Sequence, residues 1–282
     1  MRRCYPYLLI APALGLISMV SLYPTLYSLY LSLHRIRRGT MEWVGLQNFR
    51  TILTSASFWQ SLQHTLVFGV CFVSITLICA YALALMFNRK LALNGLYMTI
   101  IFVPWMLSDI VSGVMFRWLF LPHTGFGHQV LEALLGTSNL PGTPAGAMGI
   151  VIGATVWQAT AFAMLLLLAG LQTVPREIYE AALIDGATRW QSFWYITWAF
   201  VRPTTMITTL FLTIQAINTT GMFLAITEGG PGRATEVLSL YMYREVITFF
   251  NFGSAAALSV IMFVLNAALA TIYIRTLRAE TV

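Results

Sequence analysis

Charged side chains are scarce in this sequence, and that scarcity limits what the chain can be. Asp, Glu, Lys and Arg make up only 9% of its 282 residues, whereas soluble domains carry roughly 25%. So few charges do not cover a water-facing surface of this size. Hydrophobic residues make up 58% of the chain, so the composition favours a protein whose surface faces lipid.

The residues and motifs that bind metals, nucleotides or nucleic acids are also missing. Three cysteines occur without a C-x-x-C pair, and four histidines are scattered without metal-ligand spacing, so we expect no metal site. No G-x-x-x-x-G-K-S/T phosphate loop occurs, which predicts that the chain is not itself an ATPase. The net charge of +6 comes from basic residues dispersed between apolar runs, so we expect no nucleic-acid partner.

Long apolar runs are what the sequence has in abundance. Each of six runs exceeds the roughly 20 residues that a helix needs to cross a bilayer, and lipid accepts no unpaired backbone. The first run follows Arg2 and Arg3 like a signal peptide, but its length indicates a retained span. We therefore predict a single all-α membrane domain over 1–282, a bundle of six transmembrane helices at about 7–33, 62–87, 95–120, 147–171, 204–226 and 252–277.

The loops between these runs predict an orientation, because basic residues mark the cytoplasmic side. Six crossings place both termini on the same side. The set of loops that includes the termini holds nine basic residues: Arg2, Arg3, Arg89, Lys90, Arg176, Arg189, Arg202, Arg275 and Arg278. The other set holds six: Arg35, Arg37, Arg38, Arg50, Arg233 and Arg244. The balance favours cytoplasmic termini, while the cluster at 35–38 argues the other way.

The segment 172–203 is a long polar loop with the pattern of a helix, a glycine turn and a second helix. Pro175 suits a first helical position, Glu177 falls in the first turn, and Gly186 suits the left-handed residue after a helix. The first helix is too short and too polar to cross a bilayer. It suits either an amphipathic helix on the membrane surface or a docking helix for a cytoplasmic partner. The residue pattern alone does not choose between these two.

The same loop resembles the EAA motif of ABC importer membrane subunits. Glu180-Ala181-Ala182 is followed after three residues by Gly186, and after nine more by Ile196, with Pro203 beyond. Trp198-Ala199 stands where the motif has Leu-Pro, which leaves the exit of the second helix open. The resemblance implies a coupling helix, in the cytoplasmic loop between helices 4 and 5, that inserts into a cleft of an ATPase subunit. It assigns this contact to Glu180, Ala181, Ala182, Asp185 and Gly186.

Further segments resemble sugar permeases of the maltose and glycerol-phosphate importer class, in the same order and spacing. They are 43–49, 116–120, 167–172, 226–231 and 251–259. The resemblance implies a permease subunit that forms half of the path for a sugar or related polar solute, in a prokaryotic cell membrane with both termini cytoplasmic. It also implies a second permease subunit, two cytoplasmic ATPase subunits that bind ATP and Mg, and an extracytoplasmic solute-binding protein, with no cofactor on this chain. It leaves the identity of the solute open.

Polar side chains inside the apolar runs are the candidates for solute contact. The fifth run offers Gln215, Asn218, Thr219 and Thr220 near the ring of Phe223, and the fourth offers Trp157 and Gln158. Polar groups beside an aromatic face suit a sugar. Hydrogen bonding between helices is the alternative role for the same side chains.

Asp109 is the carboxylate within a predicted span, which makes it a functional candidate by default. Proton coupling is one hypothesis for it, and a position in the outer half of the membrane facing water is the other. A secondary, ion-coupled transporter is the alternative function, but it needs buried carboxylates in several spans. A membrane-embedded enzyme needs clustered His, Asp, Glu or Cys, and the sequence shows no such cluster.

Overall fold

The computed structural model describes residues 5–37, 40–89, 92–122, 124–136 and 140–280, and these are mostly helical. One antiparallel hairpin pairs β1 (His34–Arg37) with β2 (Thr40–Trp43). The helices are α1 (Tyr5–Ile17), α2 (Tyr23–Ser32), α3 (Gln47–Thr54), α4 (Ala56–Phe87), α5 (Asn94–Met106), α6 (Asp109–Leu119), α7 (Phe126–Leu135), α8 (Pro144–Leu171), α9 (Arg176–Ile184), α10 (Arg189–Ser192), α11 (Trp198–Asn218), α12 (Gly221–Ile226), α13 (Leu238–Ile247) and α14 (Phe252–Glu280). Two π-helical turns, Ser18–Leu22 and Phe193–Thr197, join α1 to α2 and α10 to α11. Of the basic residues used to predict orientation, Arg2, Arg3, Arg38 and Lys90 lie outside the described residues.

Four helical stretches within these described ranges are long and apolar enough to cross a membrane. They are Pro12–Ser32, Ala56–Phe87, Pro144–Leu171 and Phe252–Thr276. A fifth candidate is the pair α5 and α6, which is bent by 96° at a short break. Leu107 is extended there (ψ 145°) and Pro104 lies in the last turn of α5. Length and composition therefore give four or five spans, one or two fewer than the six that the apolar runs predict.

The predicted fifth run, 204–226, is the one that fails this test, because it is interrupted and rich in polar side chains. The helix α11 ends at Asn218, Thr219 is extended (ψ 124°), and only the short α12 follows. Neighbouring helices explain why α11 can be this polar. It packs against α8, where a Cβ on Gly170 would lie 2.8 Å from the Thr204 hydroxyl, and where Phe162 contacts Phe211 at 4.8 Å.

Four of the five threonine hydroxyls of α11 are satisfied within the helix itself. Thr205, Thr208, Thr209 and Thr213 each donate to the carbonyl four residues earlier, at 2.7–2.9 Å. A hydroxyl bonded in this way carries little penalty in an apolar environment. The tyrosine hydroxyl of Tyr81 on α4 also reaches Thr205. Side chains that lower the hydropathy of α11 are therefore compatible with a helix that packs against α4 and α8.

The chain divides into two compact units, Met1–Trp59 with Tyr241–Leu265, and Gln60–Leu240 with Asn266–Val282. In the first unit, the amide of Asn48 donates to the carbonyls of Ser32 (2.8 Å) and His34 (2.9 Å) and so holds the end of α2. Gly253 at the start of α14 lies against the same place, where a Cβ would come within 2.3 Å of the His34 carbonyl oxygen. Two of the segments that resemble permeases thus meet at one contact.

In the second unit α8 is the most enclosed spanning helix, with 67% of its apolar window buried. It starts at Pro144, directly after Thr143, whose hydroxyl accepts from the Gly146 amide. Proline at the first helical position and threonine before it are the residues that favour a helix start. Because α8 leads directly into the segment 172–203, the most buried helix of the unit supports the polar loop.

Candidate functional site: the loop 172–203 and two helix breaks

The first helix of the loop, α9, has a rigid end built from backbone hydrogen bonds. The Ala187 amide donates to the Ala182 carbonyl (2.9 Å) and the Gly186 amide to the Leu183 carbonyl (3.2 Å). This pair of bonds is the Schellman arrangement, which requires a left-handed residue, and Gly186 has φ +76°. At the other end Pro175 is the residue before the helix, with ψ 138°, and not its first residue. The loop therefore presents α9 in a defined orientation.

The side chains of α9 separate into an open face and a face toward the protein. The open face is formed by residues at helical spacing that are all exposed: Glu177, Glu180, Ala181 and Ile184. The opposite face is half-buried and consists of Ile178, Tyr179 and Ala182. Ile184 is 87% and Leu183 71% exposed, so two adjacent apolar side chains lie open at the end of α9. Asp185 and Gly186 continue the open surface, and nothing lies within 4 Å of a Cβ on Gly186.

The second helical part of the loop runs directly into α11. It begins with a capping box in which the Thr188 hydroxyl accepts from the Gln191 amide while the Gln191 side chain accepts from the Thr188 amide. The rings of Trp190, Trp194 and Trp198 then follow one another at 5.7 and 5.8 Å. The exit that the motif left open at Trp198-Ala199 is a continuous helix, because the π turn Phe193–Thr197 leads into α11 without a break.

Two of the predicted solute contacts lie at breaks in the helices. Gln158 of α8 is 4% exposed, and its amide donates to the Leu107 carbonyl (2.8 Å), which the bend between α5 and α6 leaves without a helical partner. Thr219 at the break after α11 donates to the Asp109 carboxylate at 3.3 Å. Both side chains therefore make the interhelix hydrogen bonds that were the alternative to solute contact.

The other predicted solute contacts are placed differently from one another. Phe223 is fully buried and packs edge-on against Phe68 at 4.8 Å, so its ring belongs to the core of this unit. Trp157 is partly exposed and lies 5.4 Å from Phe116. Asn218 is exposed and donates to the carbonyl four residues earlier, and Gln215 is half-buried in the same helix. Asn218 and Trp157 are thus the most accessible of these candidates, and Gln215 is partly accessible.

Sequence reasoning missed a close contact between the two short helices that follow the breaks, α6 and α12. A Cβ on Gly113 would lie 2.5 Å from the Cβ of Ala225, and a Cβ on Gly221 would lie 2.9 Å from the Cβ of Asp109. The two glycines therefore let the helices approach more closely than any other residue allows. The sequence signal for this contact was a glycine in each of two apolar segments, but a glycine does not indicate which residue it will contact.

Ion pairs of two kinds involve residues of the segment after α12. Arg117 at the end of α6 binds Glu228 at 2.8 Å, and both side chains are exposed. Arg233 binds Glu236, whose side chain is only 1% exposed and also accepts from the hydroxyl of Ser61. One pair is thus solvated and the other has a buried carboxylate.

The spanning helices, the enclosed polar helix breaks and the ordered polar loop define a membrane protein that crosses the bilayer several times. Residues 73–275 match the family of the binding-protein-dependent transport system inner membrane component. The chain belongs to this family, and it is therefore a membrane subunit of a binding-protein-dependent transport system.

Similar proteins of known type cover almost the whole chain. The sulfoquinovosyl glycerol transport system permease protein of Agrobacterium fabrum is 30% identical over 99% of this chain and 92% of its own length. The trehalose/maltose transport system permease protein of Thermococcus litoralis is 33% identical over 95% and 92%. The fold is also that of a chain in a bacterial ABC transporter involved in the import of the polysaccharide alginate, with a TM-score of 0.82, 21% identity, and coverage of 99% and 96%.

Proposed function

We propose that this chain forms half of the translocation path of an ATP-driven importer for a sugar or a related polar solute. Family membership supports a transport subunit, and the two relatives named for sugar or sulfosugar glycerol transport support the solute class. A second permease subunit completes the path. An extracytoplasmic binding protein delivers the solute, as the structure of the alginate transporter with its periplasmic protein illustrates for that system.

The observation that supports an ATPase partner as the energy source is the open face of α9. Glu177, Glu180 and Ile184 are exposed on a helix whose end is fixed by the Gly186 cap. This face has two carboxylates, and one cation, Arg176, is exposed a turn before Glu180, so it is not the basic surface that the anionic lipids of an inner leaflet attract. A cleft in a protein partner covers Ile184 and pairs the carboxylates. We infer that two ATPase subunits provide such clefts and bind ATP and Mg, while this chain binds no cofactor.

The docking role requires α9 to lie in the cytoplasm. We propose six crossings, with the bent pair α5 and α6 as the third and α11 as the fifth. The packing of α11 against α4 and α8, and the threonine hydroxyls bonded within the helix, support its place in the membrane despite its polar side chains. Both termini are then cytoplasmic, together with the segment 172–203. ATP-driven closure of the partners draws the α9 helices together, and the bundle alternates between two packings.

The test is to disrupt α9 without disturbing the fold. We expect Gly186→Trp and Glu180→Arg to remove the ATPase from a complex that is purified from its native membrane through this chain. Gly136→Trp is a matched control, because Gly136 also follows a helix, has φ +66° and has nothing within 4 Å of its Cβ position. The measurements are the ATPase content by mass spectrometry and vanadate-sensitive ATP hydrolysis. Normal hydrolysis in both α9 variants would refute the docking role.

A further inference from the structure

The half-buried face of α9 makes a hydrogen bond to the helical segment that continues into α11. The hydroxyl of Tyr179 and the hydroxyl of Thr197 are 2.9 Å apart. Thr197 is 5% exposed and is the last residue of the π turn Phe193–Thr197. Tyr179 is half-buried on a helix that buries no residue completely. The hydrogen bond therefore connects the half-buried face of α9 to the turn that leads into α11, the proposed fifth spanning helix.

The π turn determines which residue faces Tyr179. The Trp198 amide donates to the Phe193 carbonyl, five residues back, and the Thr197 hydroxyl lies 3.4 Å from the Ser192 carbonyl oxygen. One extra residue in a turn rotates the following helix by about 100° relative to the preceding one. The turn thus presents Thr197 to α9 while the rest of α11 keeps its packing against α4 and α8. Such turns are unfavourable in an α-helix and occur frequently at functional sites.

The position of α11 allows this hydrogen bond to transmit a movement of α9 to the spanning helices. The helix starts directly after Thr197 and ends at Asn218, and the next residue, Thr219, donates to Asp109 at the start of α6. The covalent route from α9 to α11 passes through Gly186, where nothing surrounds the Cβ position. The cap at Gly186 fixes the end of α9 through hydrogen bonds from Ala187 to Ala182 and from Gly186 to Leu183, and these bonds do not join α9 to α11. The hydrogen bond between Tyr179 and Thr197 makes that connection directly.

We propose that Tyr179 and Thr197 are positioning residues that make α9 and the start of α11 move as one rigid lever, so that displacement of α9 by the ATPase reaches the spanning helices. This inference rests on the proposed docking of α9, and it adds which residues transmit the movement. Loss of either hydroxyl leaves the open face of α9 intact. The ATPase therefore stays bound, but α9 moves independently of α11.

The experiment measures a distance within the chain, so it needs no solute. Spin labels are placed at Arg176→Cys on α9 and Ile207→Cys on α11, two exposed positions outside the open face, in a chain whose Cys4, Cys71 and Cys79 are replaced by serine. The complex with its ATPase is purified in lipid vesicles. Pulsed dipolar spectroscopy then gives the label-to-label distance without nucleotide and after trapping with ATP and vanadate.

We expect one unchanged distance in both states for the chain with its native Tyr179 and Thr197. In Tyr179→Phe and Thr197→Val we expect a second distance after trapping, because loss of one hydrogen bond raises the detached population roughly fivefold. Thr197→Ser keeps the hydroxyl and restores the single distance. Tyr195→Phe removes an exposed hydroxyl in the same π turn and is the control.

The outcomes separate this inference from the proposed function. If Tyr179→Phe retains its ATPase and shows the native distances in both states, the lever is refuted and the docking role stands. Separation of the two labels on trapping in the native background also refutes the lever. If the native chain brings no ATPase with it, the proposed function fails, and the lever fails with it.

Discussion

The hydroxyl of Thr219 donates a hydrogen bond to the carboxylate of Asp109 at 3.3 Å. Each residue lies at a break, because Thr219 is the extended residue between α11 and α12, and Asp109 begins α6 directly after the bend. Asp109 is the carboxylate that made proton coupling a hypothesis. Its hydrogen bond to a neighbouring helix break and its place in the first turn of α6 predict a structural role.

Removal of the Thr219 hydroxyl tests that role. Thr219→Val keeps the shape of the side chain but removes the donor, and we expect a loss of about 1 kcal/mol, since hydrogen bonds between membrane helices are worth about 0.6 to 2 kcal/mol. Asp109→Asn keeps an acceptor and should lose less. The measurement is the thermal unfolding midpoint of the purified chain in detergent. Thr271→Val, which removes an exposed hydroxyl bonded within its own helix, is the control; equal losses in all three variants would contradict the prediction.

The contact between α6 and α12 predicts a compensating pair of substitutions. Gly113→Ala places a methyl group 2.5 Å from the Cβ of Ala225, and we expect a loss of about 1–3 kcal/mol from overpacking. Ala225→Gly removes the opposing methyl group and should restore most of the stability in the double variant. Gly153→Ala is the control, because nothing lies within 4 Å of that Cβ position. Thermal unfolding of the four variants measures the coupling, and independent effects would exclude a direct contact.

Gln158 provides a third test because its amide holds the Leu107 carbonyl. Gln158→Met preserves the length of the side chain but leaves that partly buried carbonyl without this donor, at a cost of about 1 kcal/mol. Gln63→Met changes an exposed glutamine on α4 and should be close to neutral. If solute binding suffers in Gln158→Met while the unfolding midpoint is unchanged, Gln158 contacts solute and does not stabilise the bend.

The helical loop could be predicted because its signals are local. Gly186 can adopt the left-handed conformation of a helix cap without steric cost, and carboxylates such as Glu177 favour the start of a helix in any context. The spacing from Glu180 to Gly186 identified the motif for the same reason. The family could therefore be inferred from residues that are adjacent in sequence.

The helix breaks could not be predicted, because hydropathy does not register them. The residues around Leu107 and Thr219 lie within apolar runs, and distant side chains donate to the backbone at both breaks, Gln158 to the Leu107 carbonyl and Ser239 to the Thr219 carbonyl. The sequence likewise suggested Phe223 as an aromatic contact for a sugar, but in the structure its ring packs against Phe68 of α4. Such partners depend on the tertiary arrangement, so the exposed and buried polar residues of a span cannot be separated from sequence alone.

The two ion pairs after α12 predict unequal effects for the same substitution. Glu228 and Arg117 are both more than half exposed, and solvated pairs contribute little, so Glu228→Gln should cost under about 1 kcal/mol. Glu236 is 1% exposed and its carboxylate accepts from Arg233 and Ser61, so Glu236→Gln should cost about 2 kcal/mol, the loss of hydrogen bonds to a buried charge.

Salt separates these two cases further. At about 1 M salt the Debye length falls to about 3 Å, which weakens an exposed pair more than a buried one. We therefore expect the small effect of Glu228→Gln to disappear in high salt, while the effect of Glu236→Gln on the unfolding midpoint persists. If both effects vanish together, the carboxylate of Glu236 is accessible to solvent, and the contacts that bury it are not stable in the membrane protein.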